Sequence, residues 1–420
     1  MKIRLILAGL VCLSIGFGQT KAFVGARIID GSGKPAIEKA TIVVRDGRIE
    51  AVGASVKPPA GAQVLNVAGK TIIPGLINAH GHVADTQGLR TGAELYTKEN
   101  CLRQLGVYSR YGVTTVFSLG GDKEDAFRLR DEQDTPKLSR SRIYVGGTII
   151  TGNTPEETRK MVDQVALTKP DIIKVRVDDN LGATRKMPAP AYDALIDEAH
   201  KKGFRVAVHL YYLDDAKGVL KAGADYIAHS IRDREVDDEV IGLLKARNVF
   251  VCPTLTREVS TFVYESTPKF FSDPFFLREV DKQVIDQLND PKRQQAMHDS
   301  KSAQTYKAQL EVASRNLKKL SDAGVGIAMG TDTGPPARFQ GYFEHMELEM
   351  MTKAGLTPMQ ALVSATGDAA KLMKLSGKVG TLQQGAWADM LVLASNPLDD
   401  IRNTKSIESV WIAGNQVQRQ

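Results

Sequence analysis

Two histidines one residue apart, His80 and His82, follow directly on an apolar run, Ile72-Ile73-Pro74-Gly75-Leu76-Ile77. The run is short and carries β-branched residues, so it reads as a buried strand, with its paired part starting after Pro74, which cannot donate to a ladder. Side chains two apart on an extended segment share a face. Both imidazoles are therefore presented together at the strand's C-terminal end, and Gly81 between them leaves room for a close ligand. Two neutral imidazoles on one face suit a divalent cation, with zinc the expected metal. Further groups of the same chemical kind stand behind other short apolar runs. They are Lys174 in Asp171-Ile172-Ile173-Lys174-Val175-Arg176, His209 in Arg205-Val206-Ala207-Val208-His209, His229 in Asp225-Tyr226-Ile227-Ala228-His229, and Asp332 in Ala328-Met329-Gly330-Thr331-Asp332.

The elements that must position these groups follow a β-α alternation. Strands are expected at residues 72–79, 113–119, 143–146, 172–177, 205–208, 226–228, 249–251 and 326–329. Helical patterns lie between most of them, for example residues 191–202, closed by Gly203, and 213–222, closed by Gly223. Units repeated in this number predict an α/β fold, a (β/α)8 TIM barrel, whose chemistry sits at the C-terminal strand ends. The histidines, the lysine and the aspartate all fall at that end.

The flanks differ in character. Residues 1–22 open with Lys2 and Arg4, run through an apolar stretch too short for a membrane span, and close on small or polar residues, as a secretory signal peptide does. Cleavage is expected near Ala22, giving an exported chain, periplasmic or secreted. Residues 23–70 and 374–420 are rich in short strands and turns such as Asp46-Gly47, and predict a small β-sandwich built from both termini around a barrel of residues 71–373. The formal charge of +6 falls to +3 once Lys2, Arg4 and Lys21 leave. No basic stripe with interleaved aromatics is present, so nucleic acid is not an expected partner. Beyond Cys12 only Cys101 and Cys252 remain, and a chain of this size needs no disulfide staple.

With these features in place the mature chain resembles the amidohydrolase superfamily, in its imidazolonepropionase-like and prolidase-like branch. The resemblance rests on Pro74-Gly75-Leu76-Ile77-Asn78-Ala79-His80-Gly81-His82, Gly112-Val113-Thr114-Thr115, Ala222-Gly223-Ala224-Asp225-Tyr226-Ile227-Ala228-His229 and Gly330-Thr331-Asp332. Residues 354–362 and Gly385-Ala386-Trp387-Ala388-Asp389 match the family's closing segments. It implies a binuclear metal centre in which His80, His82 and Asp332 hold one ion and His209 and His229 the other. Lys174 would bridge them as a carbamate formed with carbon dioxide, a reaction that needs an uncharged, buried amine. Two cations would make hydroxide available near neutral pH as the nucleophile. Asp332 would take its proton and return it to the leaving nitrogen.

Substrate recognition is expected from Arg176, two residues beyond Lys174 on the same strand face and suited to clamp a carboxylate, unless it pairs with Asp178 or Asp179. In prolidase-like relatives a tyrosine in the region of Tyr211 holds the substrate carboxylate; Tyr212 is the alternative. Those relatives also use a histidine near the third strand's end, where residues 144–152 here have none. The long excursion of residues 254–324, with Phe262, Tyr264, Phe270, Phe271, Phe275 and Phe276, is expected to form a lid or pocket wall, or to pack on the barrel. His200, His298 and His345 are not expected to be ligands. The sequence thus predicts a binuclear metal-dependent hydrolase that cleaves an amide bond in a small substrate such as a dipeptide or N-acyl amino acid. Opening of a cyclic amide or a lactone is the alternative, and a metal-free binding or assembly relative is the alternative of another class. A small-molecule substrate is the expected partner, no membrane is expected after signal removal, and a homo-oligomer is compatible with the chain.

Overall fold

The computed structural model describes residues 20–418. In chain order β1 (Lys21–Ile28), β2 (Ile37–Arg45), β3 (Arg48–Gly53), β4 (Gln63–Asn66) and β5 (Thr71–Pro74) precede the barrel's first strand, β6 (Leu76–Gly81). A two-residue hairpin follows, β7 (Thr86–Gln87) with β8 (Arg90–Thr91). Then come β9 (Val113–Ser118), β10 (Arg142–Val145), β11 (Ile173–Arg176), β12 (Val206–His209), β13 (Tyr226–Ile227) and β14 (Phe250–Val251). The C-terminal strands are β15 (Met390–Leu393), β16 (Ile407–Ile412) and β17 (Asn415–Gln416).

The barrel is parallel throughout. One run orders β10-β9-β6 and another β11-β12-β13-β14; a bridge from Ile150 to Val175 joins the two runs, and one from Gly81 to Thr333 joins β6 to the eighth segment. The eighth segment is joined by a bridge from Ile327 to Val251, with Ala79 N donating to Met329 O at 2.8 Å to complete the ring. Every residue of β6 and β9 is buried, as expected of strands covered on both faces. The crossover helices carry their own boundary signals. Thr97 caps Lys98–Arg110 and Thr154 caps Pro155–Ala166, each hydroxyl accepting a backbone N–H, while Gly223 closes Leu213–Ala222 at φ +115°.

The chain ends pair into one sheet of order β17-β16-β15-β5-β1-β2-β3, with β4 also on β1. The expectation that pairing starts after Pro74 does not hold. Thr71–Pro74 pairs with β15 and β1, and Gly75 lets the chain pass into β6. Phe23, Ile28, Ile42, Ile72, Met390 and Trp411 form a separate core for this sheet. It is fixed to the barrel by a buried ion pair, Arg142 Nε to Asp389 Oδ2 at 2.7 Å, with the Trp387 ring held between the guanidiniums of Arg142 and Arg48 at 4.5 and 3.8 Å. The signal-peptide reading falls mostly on residues 1–19, outside the described residues. Lys21 and Ala22 are already paired in β1, opposite Val44 and Val43. No described helix is long and apolar enough to cross a membrane.

Most of the excursion's aromatics bury it against the barrel. Phe271 and Phe276 pack with Tyr111, Tyr264, Tyr342 and Phe343. Between this cluster and the segment after Asp332 lies a cavity of about 240 Å³, lined among others by Gln104, Tyr111, Phe276, Val284, Arg338 and Tyr342. Cys101 and Cys252 are buried free thiols.

Candidate metal centre and active site

His80 lies near the end of β6 and His82 directly follows it, and a Cβ on Gly81 between them would come within 2.8 Å of Tyr108 Oη and 2.9 Å of Asn78 Nδ2 and Val116 Cγ2. The space expected for a ligand is therefore filled by packing, and glycine is needed there for the strand to seat. Asn78 fixes the turn from beneath. Its Oδ1 accepts from His80 N at 3.0 Å, and its Nδ2 donates to Thr331 Oγ1 and to the wholly buried Glu344. Thr331 and Thr333 also donate to Glu344 Oε1, at 2.8 and 2.7 Å, so one carboxylate ties the first and eighth barrel segments together. Asp332 lies between those threonines at φ +58°, a left-handed conformation uncommon outside glycine that turns its carboxylate onto the histidines.

Both histidines of the pair donate from Nδ1 to a backbone carbonyl, His80 to Ala228 O at 2.7 Å and His82 to Gly120 O at 2.9 Å. That fixes the tautomer and turns each Nε2 inward, the usual second-sphere arrangement of a metal-binding histidine. The two Nε2 atoms lie 3.5 and 2.8 Å from Asp332 Oδ1, and one donor atom from each of the three residues falls within 4.8 Å of the others. His229 Nδ1 is 2.8 Å from Thr254 Oγ1, while its Nε2 is buried with no hydrogen-bond partner. Thr254 is itself left-handed, at φ +46°. His209 Nε2 donates to Asp178 Oδ2 at 3.1 Å, which leaves Nδ1 as its free donor atom. The His209 and His229 rings are 4.1 Å apart, and His80 and His229 4.6 Å. Lys174 Nζ lies 3.3 Å from His80 Nε2, and no carboxylate among the described residues is within ion-pair distance of it. The six residues singled out at the strand ends thus converge.

Their electrostatics match that placement. Burial pushes the Lys174 amine down to about 8, against the opposing pull of Asp332. Burial likewise lowers His80, with Lys174 adding to it, and lowers His229, with His209 adding to it, so both imidazoles are neutral at pH 7. Burial alone would raise Asp332, but the Arg338 guanidinium, with His80 and His82, outweighs it and holds the carboxyl well below the usual range.

Family comparison agrees with this geometry. The amidohydrolase family profile matches residues 71–417. This chain belongs to the amidohydrolase family. It is a hydrolase acting on carbon–nitrogen bonds, and the His80, His82 and Asp332 cluster is where metal binding is indicated. An uncharacterized protein of Mycobacterium tuberculosis is 25% identical over 382 residues, 88% of this chain and 90% of that protein. The crystal structure of a putative prolidase from Bifidobacterium longum is similar at a TM-score of 0.75 and 26% identity, covering 96% of this chain and 95% of the other. A Xaa-Pro dipeptidase crystallised with methionine in its active site shares the fold, at a TM-score of 0.77 and 21% identity, over 95% of this chain and 100% of its own.

The expected substrate residues fare differently. Arg176 ends β11 without an ion pair among the described residues; Asp178 is paired with His209, and Asp179 accepts from Tyr212 Oη at 2.9 Å. Tyr212 is further covered by Lys186, whose Nζ lies 4.3 Å from the ring centroid. Tyr211 is buried with an unpartnered hydroxyl. His345 is a packing residue, bound to Thr404 Oγ1 and Tyr111 O, and His298 is largely exposed.

Sequence reasoning missed Arg338, whose Nη1 is paired with Asp332 Oδ2, and Asp122, which accepts from Ser118 Oγ and from the N–H groups of Gly146 and Gly147. Burial raises the Asp122 carboxyl to about 6 in spite of those donors. Neither residue stands at a strand end, and neither has a local pattern that would reveal it.

Proposed function

We propose that this chain is an exported hydrolase with two divalent metal ions, zinc being the expected metal, that cleaves the amide bond of a small substrate with a free carboxylate, such as a dipeptide or an N-acyl amino acid. The observation that carries the reading is the orphaned, buried Nε2 of His229 beside the inward-facing donors of His80, His82 and Lys174. A donor set of four imidazoles, one carboxylate and an amine that burial brings near neutrality suits two cations with a lysine carbamate. In this reading His80, His82 and Asp332 would hold one ion, His209 and His229 the other, and Lys174, as its carbamate, would contribute to both. When bound, the metals would polarise the scissile carbonyl and acidify a water.

The chain's own residues supply the proton handling. Asp332 stays a carboxylate at neutral pH because Arg338 and the histidines stabilise its charge, so it can accept a proton from the attacking water. Its side chain can then pass that proton to the leaving nitrogen. Arg176 and Tyr211 have groups free to meet the substrate carboxylate, whereas the Tyr212 hydroxyl is already given to Asp179.

The deciding experiment is a hydrolysis screen of the zinc-loaded protein against dipeptides, N-acyl amino acids, cyclic amides and lactones, with metal content measured in parallel. Turnover of carboxylate-bearing amides at close to two metals per chain is the expected outcome. Full activity after exhaustive chelation refutes it. Export is checked separately, by locating the protein and its mature N-terminus after cell fractionation.

A further inference from the structure

Beside His209 the barrel mouth holds a second polar cluster that the metal chemistry does not use. Arg232, three residues past His229, is wholly buried, and Arg257 and Glu258 lie on the short helix Leu255–Ser260. Glu258 joins the two arginines. Its Oε1 is 3.0 Å from Arg232 Nε, and Arg257 Nη1 donates to its Oε2 at 3.0 Å and to its Oε1 at 3.2 Å. Arg232 Nη1 donates to the carbonyls of Leu210 and Ser230. The Arg232 guanidinium also lies 4.7 Å over the Tyr211 ring, and Arg257 lies 4.6 Å over Tyr306.

What the cluster lacks is an acceptor. Among the described residues Tyr211 Oη, Arg232 Nε and Nη2, and Arg257 Nε are all buried without a hydrogen-bond partner, the Arg232 Nε approach to Glu258 being an ion pair without hydrogen-bond alignment. Both oxygens of Glu258 are already engaged by the arginines. Buried donors left unmade are costly, and guanidinium donors most of all. The group that would answer them is a compact anion with several acceptor lone pairs, which describes a carboxylate.

The cluster also adjoins the metal centre. The charge of Arg257 acts on His209, Asp332 and Arg338, and that of Arg232 acts on His229 and Asp178. Arg338, which pairs with Asp332, donates from Nε to Ser260 Oγ at 3.1 Å and so rests on the same short helix.

We infer that Arg257 and Arg232 join Tyr211, the tyrosine already expected to meet the substrate carboxylate, in a carboxylate-receiving subsite on the excursion side of the metal centre. The inference rests on the amide-hydrolase reading above. It moves the main determinant of substrate charge from β11 to the helix that begins the excursion.

The test is calorimetric titration of the metal-loaded full-length protein with N-acetylglycine and with its uncharged counterpart N-acetylglycinamide. Wild type should prefer the acid, and Arg257→Met should lose that preference, its affinity for the acid falling roughly 10- to 150-fold as expected for a lost charge-assisted pair, with metal content unchanged. Tyr211→Phe removes one orphan donor and no charge, and should narrow the preference a few-fold; it keeps the question open to refutation should Arg257→Met fail to fold. A wild type with no preference, or variants that retain the full preference, overturns the subsite. Chromatography of the same mixtures reads hydrolysis separately. A protein that prefers the acid but cleaves no amide of the wider screen refutes the reaction and leaves the subsite standing.

Discussion

Lys174 offers the sharpest quantitative test of the metal centre, because its environment sets how often the amine is free to react. Carbamate formation needs the uncharged amine, and burial holds this one at about 8 rather than 10.5. At pH 7 roughly a tenth of the chains then carry a neutral Lys174, about 300 times the share of an exposed lysine. Only the neutral form reacts. At fixed dissolved carbon dioxide the rate of carbamylation should therefore rise about tenfold per pH unit below 8 and level off above it. The assay begins with protein stripped by a chelator and then given zinc in buffer with or without added bicarbonate. Bound metal and recovered turnover are followed over time. Bicarbonate should speed the recovery of both, and Lys174→Met should lower metal content and rate together whatever the bicarbonate. Recovery indifferent to bicarbonate across pH 6 to 9, or a Lys174→Met protein with two metals and full turnover, would refute the carbamate.

Three further outcomes are expected. His209→Ala should bind one metal fewer by elemental analysis and lose nearly all activity, while its circular dichroism stays that of the wild type. Arg176→Met should leave metal content unchanged and, if the β11 arginine contributes to charge recognition, lower kcat/KM for carboxylate-bearing substrates more than for their amides; equal loss on both would exclude that contribution. Arg142→Met leaves Asp389 as an unpaired buried charge, so denaturant unfolding should show a loss of about 3–5 kcal/mol, and a loss below about 1 kcal/mol would mean that water reaches the pair.

The six residues that converge were legible because each has a local signature. A histidine, lysine or aspartate stands within or just after a short buried apolar run, as in Val206–His209. Strand alternation then placed His80 with His82. The barrel was legible for the same reason, since its period is written in apolar runs and in turn glycines such as Gly223. What escaped is what depends on contacts between distant parts of the chain. Arg338 matters through Asp332, Asn78 through Glu344, and Arg232 through Glu258, and none of these pairings has a sequence period. The last strand was expected at residues 326–329 and is instead held by a bridge at Ile327 and the Ala79 N to Met329 O bond, with Gly326 packed on the Phe250 ring and Gly330 against the His80 backbone in place of a regular ladder.

The sheet made from both chain ends also fixes an order of events in time. Ile72 of β5 pairs with Ile28 on one side and Val392 on the other, so one neighbour is made long before the other. Until Met390–Leu393 leaves the ribosome, β5 has a bare edge, Arg142 has no Asp389, and the barrel rests on an unfinished base. Contacts of such long separation form slowly. Closure of the sheet should therefore follow completion of the barrel, and loss of residues 390–412 should be as damaging as loss of a barrel strand. The molecule carries its own reporter of this step. Its two tryptophans, Trp387 and Trp411, are both buried in the late-arriving segment, so tryptophan fluorescence follows closure of the base while the tyrosines of the barrel follow the rest.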